Sequence, residues 1–139
     1  MKVHLWRRVQ GRLEGTRAMQ LTMEQVASAF SSHRFEEALP QIHDDVAWEL
    51  VGGEVLAGKP AVVDVCSSLA RDLQDVQTTF DQFRMVSGPA SVVVDSVARY
   101  VSADGSLSRV ASCDIYDFVE DRVVRIRSYN VELAPDTAG

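Results

Sequence analysis

Residues 112–130 read SCDIYDFVEDRVVRIRSYN, two alternating runs on either side of Glu120-Asp121. Apolar and polar residues exchange places at nearly every step, which is the period of a strand with two distinct faces. Two strands, 107–118 and 122–133, joined by that acidic pair form an antiparallel hairpin. The same period runs upstream through 91–102 and 76–87, with Ala-Asp-Gly at 103–105 and Ser-Gly-Pro at 87–89 as turns. Links this short leave no room for a crossover, so the last four strands make a meander. One face of the 107–118 strand carries Val110, Ser112, Asp114, Tyr116 and Phe118. An aspartate between a serine and two aromatics poses a question: either that face is wet, or it lines a pocket that uses an acid.

Upstream of the meander the period lengthens. Thr22 precedes Met23, Val26, Ala27 and Phe30 at helical spacing, and Gln25 completes a capping box. A second helix is expected over 35–43, with Phe35, Ala38, Leu39 and Ile42 inward, kinked at Pro40 and ended by Asp44-Asp45. VAWELV (46–51) alternates as a strand, Gly52-Gly53 turns the chain, and EVLAG (54–58) returns as a short strand. The clearest helix is GKPAVVDVCSSLARDL (58–73). Pro60 suits its first turn, and Val62, Cys66, Leu69 and Leu73 recur every three or four residues. Helices first and sheet afterwards imply an α+β domain.

The 139 residues are 46% hydrophobic and 24% charged, enough for one domain with one core. No apolar run approaches the roughly 20 residues that cross a bilayer, so no membrane partner is expected. A net charge of −6 argues against nucleic acid, which needs a concentrated basic face. Residues 1–18 carry Lys2, Arg7, Arg8, Arg12 and Arg17 against Glu14; the remaining nine basic and nineteen acidic residues leave 19–139 at −10. That leader lacks the apolar stretch and cleavage site of a secretory signal. It reads as an N-terminal arm or an upstream start, with Met19 opening a domain over 19–134 and a tail over 135–139. A basic arm that docks on the acidic body stays open as the other reading. Cys66 and Cys113 lack metal or redox spacing and are expected as buried free thiols, consistent with a cytoplasmic protein.

Other chemistry-bearing residues have plain structural readings. His33 and His43 end the two upstream helices, where an imidazolium suits the helix dipole, and neither has the partners of a metal site. Ser67-Ser68 lies mid-helix without a visible catalytic base. Arg125 and Arg127 share a strand face with Asp117 and Asp95 as cross-strand charge pairs.

The order of elements, carried by RFEEALPQIHDDVAWEL (34–50), LAGKPAVVDV (56–65) and CDIYDFVEDRVVRIRSYNVEL (113–133), resembles the nuclear transport factor 2-like superfamily, in particular its SnoaL-like and ketosteroid-isomerase-like branch. The resemblance covers about 22–133. It implies a strongly bent antiparallel sheet wrapped as a cone around the helices, with a ligand cavity at the open end. In that register the concave face takes Trp48 and Leu50, then Ser96, Ala98 and Tyr100, then Ser112, Asp114 and Tyr116, and finally Val124, Ile126, Ser128 and Asn130. The convex face takes Asp95, Val97, Arg99, Ile115, Asp117, Arg125 and Arg127, and the branch implies a homodimer through that outer face. A slip of one residue inverts both sets.

The resemblance also bears on chemistry. The aspartate base of the ketosteroid isomerases falls on Leu50 and their helix tyrosine near Val26; only their late, protonated aspartic acid has a counterpart, Asp114. The water-activating Asp-Arg-Asp set of the limonene-epoxide hydrolases falls on Ser128, Ser96 and Ala98 and is absent. SnoaL-type polyketide cyclases, whose ring closure rests largely on one aspartate in an apolar pocket, are nearer. These residues lead to a cofactor-free cyclase- or isomerase-type enzyme for a small apolar carbonyl compound. Asp114 is its general acid/base, and Trp48, Leu50, Tyr100, Ser112, Tyr116, Ser128 and Asn130 form the binding wall. The alternative is a ligand-binding or scaffolding domain that keeps the cone without catalysis. An open cavity beside Asp114 separates it from a cone filled by Phe30, Trp48 and Phe118.

Overall fold

Thr22 fixes where the first described helix begins. Its hydroxyl accepts the Gln25 N–H at 3.1 Å, and Gln25 Oε1 accepts the Thr22 N–H at 2.9 Å, the reciprocal pair expected from sequence. The computed structural model describes residues 20–134, so the 1–18 arm, Met19 as the expected start of the domain and the 135–139 tail lie outside the described residues. Helix α1 (Met23–Ser31) buries Val26, Ala27, Ala29 and Phe30. Just before it, Gln41 clips the chain: its amide accepts from Leu21 N–H at 2.7 Å and donates to Leu21 C=O at 2.9 Å.

The segment after α1 departs from expectation. Helix α2 (Phe35–Ala38) is a single turn, Leu39–Gln41 tightens to a 3-10 turn around Pro40, and strand β1 (Ile42–Leu50) follows at once. Pro40 lacks an amide hydrogen and cannot extend the α-helix, so the chain leaves it earlier than Asp44-Asp45. Those two aspartates and His43 therefore lie within β1. Gly52, at φ 86°, supplies the left-handed turn into β2 (Val55–Ala57). Helix α3 (Lys59–Asp72) starts with Pro60 in its first turn and buries Val62 and Cys66, as its spacing predicts.

The meander matches the sequence reading closely: β3 (Gln77–Ser87), β4 (Ser91–Val101), β5 (Leu107–Val119) and β6 (Arg122–Leu133). The six strands form one mixed sheet in the order β2-β1-β6-β5-β4-β3. One pairing was not legible beforehand. Strand β1 runs parallel to β6, with Trp48 opposite Ile126 and Leu50 opposite Ser128. The sheet curls around α1 and α3, giving the α+β cone. Three interruptions of register bend it, between Ile42 and Ala47, between Phe80 and Gln82, and between Asp117 and Phe118.

The last of these corrects one face assignment. Phe118 pairs with Val123 while Asp117 pairs with Arg125, so Val124 is the extra residue and Val123, fully buried, enters the core in its place. The convex charges also pair differently from the sequence reading. Glu49 of β1 meets Arg125 at 3.6 Å and Arg127 at 3.2 Å, Asp95 meets Arg84, and Ser91 donates to Asp117. The parallel β1–β6 pairing brings Glu49 directly opposite Arg127. Both cysteines are free; Cys66 is buried, whereas Cys113 is only half-buried, opposite Asp95 of β4. No helix among the described residues is long and apolar enough to cross a membrane.

Candidate functional site

Asp114 sits in mid-strand on β5, directly opposite Ser128 of β6, with Val94 of β4 on its other side. Alternation turns its side chain into the cone, where α1 passes overhead and presents Ser31. The Ser31 hydroxyl donates to Asp114 Oδ2 at 2.8 Å, and Ser128 bonds to the same carboxyl. Each serine is fed in turn. Trp48 Nε1–H donates to Ser128 Oγ at 2.9 Å. Because the Ser31 proton goes to Asp114, the Tyr116 hydroxyl, 2.6 Å away, must donate to Ser31 Oγ. Two donor chains, Tyr116–Ser31 and Trp48–Ser128, thus converge on one carboxyl group.

Burial sets the acidity. The Asp114 carboxyl is pushed above the usual carboxylate range by desolvation, and the hydrogen bonds from Ser128 and Ser31 pull back only part of that rise. The group is therefore held in place by fixed donors yet remains a better proton acceptor than an exposed aspartate.

The carboxyl opens onto a cavity of about 360 Å³. Its walls are apolar and aromatic (Phe30, Phe35, Trp48, Leu50, Phe80 and Val110 among them), with a polar rim where the Ser112 hydroxyl donates to Asn130 Oδ1 at 2.7 Å. No lysine or arginine lines it among the described residues, so Asp114 faces no compensating cation. Trp48 and Phe118 are core residues, 6% and 5% exposed, and neither fills the cone. Cys66 is also buried, its thiol pushed up to about 12, which removes it as a nucleophile at neutral pH. Among the described residues no three His, Cys, Asp or Glu side chains converge as a metal site would require.

The expected site residues Trp48, Leu50, Tyr100, Ser112, Ser128 and Asn130 border this cavity together with Asp114. Tyr116 does not. It is fully buried behind the wall with its hydroxyl committed to Ser31, so it supports Asp114 rather than touching a ligand.

Two cavity residues escaped the sequence reading. Ser31 lies four positions after Ala27, on the apolar stripe of α1, and a hydroxyl on that stripe was the available signal. His33 does follow the end of α1, as expected, but not as an imidazolium facing the helix dipole. It turns inward among Phe35, Phe80 and Tyr100, its Nε2 lies 2.9 Å from the Tyr100 hydroxyl, and burial lowers its pKa. The Tyr100 phenol is raised, first by burial and then by the nearby Asp114 charge.

Comparison with known proteins places this geometry. The chain is similar to an NTF2-like protein of unknown function from Cytophaga hutchinsonii, 29% identical, over 81% of this chain and 99% of that one, with a TM-score of 0.71. A candidate polyketide cyclase from Silicibacter sp. TM1040 is 13% identical over 78% of this chain and 88% of that one, with a TM-score of 0.64. An LEH-like epoxide hydrolase from M. tuberculosis is 17% identical over 75% of each chain, with a TM-score of 0.57. At those lower identities the likeness is one of fold. No curated protein matches the chain by sequence. Residues 23–126 match the SnoaL-like domain, and the chain belongs to the SnoaL-like family of NTF2-like folds.

Proposed function

We propose that the protein binds a small, uncharged, carbonyl-bearing molecule in the cone and moves a proton on it, with Asp114 as general acid/base. The observation that carries this reading is a carboxyl of raised pKa on the wall of an open, mostly apolar cavity, with no lysine, arginine or second carboxylate lining it among the described residues. A cavity of about 360 Å³ lies within the range of small-ligand sites. An anionic ligand would meet an unpaired carboxylate there, which favours a neutral one.

The step balances within the site. The Asp114 carboxylate takes a proton from the carbon next to the carbonyl, and the C–H pair becomes the C=C of an enolate. The carbonyl π pair moves onto oxygen, where Tyr100 O–H donates to it. The proton then returns from Asp114 to another carbon in an isomerisation, or to the alkoxide formed when the enolate closes on a second carbonyl. A raised carboxyl pKa suits both halves, since an acid too strong would hold no proton to return.

Solvent-deuterium exchange into a panel of neutral cyclic and aromatic ketones tests the reading. Exchange catalysed by the wild type and lowered about 10²-fold or more in Asp114→Asn is the expected result. One feature favours a second reading: Leu50, apolar, stands where the resemblance places the isomerase base. Ketones that perturb the NMR signals of cavity residues without any exchange would support a non-catalytic ligand-binding domain instead.

A further inference from the structure

Helix α1 ends in a Schellman motif: Arg34 N–H donates to Ala29 C=O at 2.8 Å, and His33 N–H to Phe30 C=O at 3.1 Å. The residue between cap and exit must adopt a left-handed backbone, and glycine is the usual occupant. Here it is His33, at φ 68°. A β-carbon in that conformation is strained, and the contacts of its side chain must offset that strain. Its ring contacts are with Phe35, Phe80 and Tyr100, which border the Asp114 cavity as His33 does.

The bond from His33 Nε2 to Tyr100 admits two arrangements. With the proton on Nδ1, Nε2 accepts and Tyr100 spends its only hydrogen on the imidazole. With the proton on Nε2, the ring donates, and the phenol hydrogen is free to point elsewhere. Asp114 lines the same cavity, and its charge reaches the Tyr100 hydroxyl. A negative charge on that wall favours an O–H dipole whose positive end points into the cavity, with the phenol lone pair toward His33.

We propose that His33 is a positioning residue: its Nε2–H donates to the Tyr100 oxygen and turns the Tyr100 hydroxyl proton into the cavity, toward the oxygen of a bound ligand. The role in ligand recognition rests on the carbonyl-ligand reading above, but the tautomer that defines it is a property of the ligand-free protein. The hydrogen bond His33 supplies also stabilises the phenol oxygen as negative charge moves onto it.

Long-range 1H–15N spectra of the 15N-histidine-labelled full chain at neutral pH read the tautomer directly, with His33→Gln assigning the signal. An excess of the Nε2–H form of about tenfold, the size one ordinary hydrogen bond can set, is expected. The Tyr100 Cζ signal supplies a second readout. It should shift in His33→Phe, which keeps the ring contacts and loses the donor, and move back toward wild type in His33→Gln, which restores a donor. An Nδ1–H ring, or an even mixture of tautomers, overturns the proposal. Loss of deuterium exchange in Asp114→Asn reads the carboxyl alone, so failure of this arm and failure of the Asp114 reading are distinguishable.

Discussion

At the scale of single residues, the chemistry of this cone is a matter of where two hydroxyl groups point. Ser31 links the Tyr116 phenol, which no water reaches, to Asp114. Ser31→Ala should cost about 1–3 kcal/mol in urea unfolding, because the buried Tyr116 hydroxyl loses its hydrogen bond to Ser31. It should also raise the Asp114 pKa further in an NMR titration, since one of the two bonds favouring the ionised form is gone. The Asp114 pKa itself gives a pH signature. A carboxyl raised in the folded state costs nothing below its unfolded value near ~3.9. Stability is lost as pH rises from there through the folded pKa, where the folded protein holds its proton longer than the unfolded chain. Asp114→Asn should therefore gain stability relative to wild type across that window. Parallel urea titrations at several pH values check it, and a difference that stays flat would mean a carboxyl with no net shift.

At the scale of elements, the strands were legible because alternation is a strong local signal and each turn is short. The Glu120–Asp121 turn shows what the signal did not contain. Both residues have positive φ, 51° and 64°, in a two-residue link between Val119 and Arg122. That is a type I′ turn, which favours Asn-Gly. Replacing Glu120-Asp121 by Asn-Gly should stabilise the protein by about 1 kcal/mol, read as a rise of several degrees in Tm. The β1–β6 pairing was illegible for a different reason: alternation gives the faces of a strand but not its neighbour. The inward set was correct wherever no bulge intervened, as at Trp48, Asp114 and Ser128. It failed at Val124, where one extra residue changes parity. His33 was unreadable because its role comes from a left-handed backbone at a helix exit, which carries no period.

At the scale of the whole molecule, the convex face is the surface with the least settled fate. Val97 and Ile115 are half-buried on it, flanked by the Glu49, Asp95 and Asp81 ion pairs, and Tyr129 and Val131 extend it as exposed apolar residues. We expect two copies to meet there, since self-paired charges around an apolar strip suit a surface facing its own copy. Sedimentation should give a dimer that Val131→Glu shifts toward monomer; a concentration-independent monomer would remove the expectation. The parallel pairing of first strand to last has a further consequence, for the order in which the protein is made. Ser31 finds Asp114 83 residues later, and Trp48 finds Ser128 80 residues later. A ribosome delivering the chain from its N-terminus therefore leaves Phe30, Trp48 and Ile42 without the strands that cover them until almost the final strand emerges. The cavity is the last thing to come into being, and a chain cut short within β6 would lack not an edge but its centre.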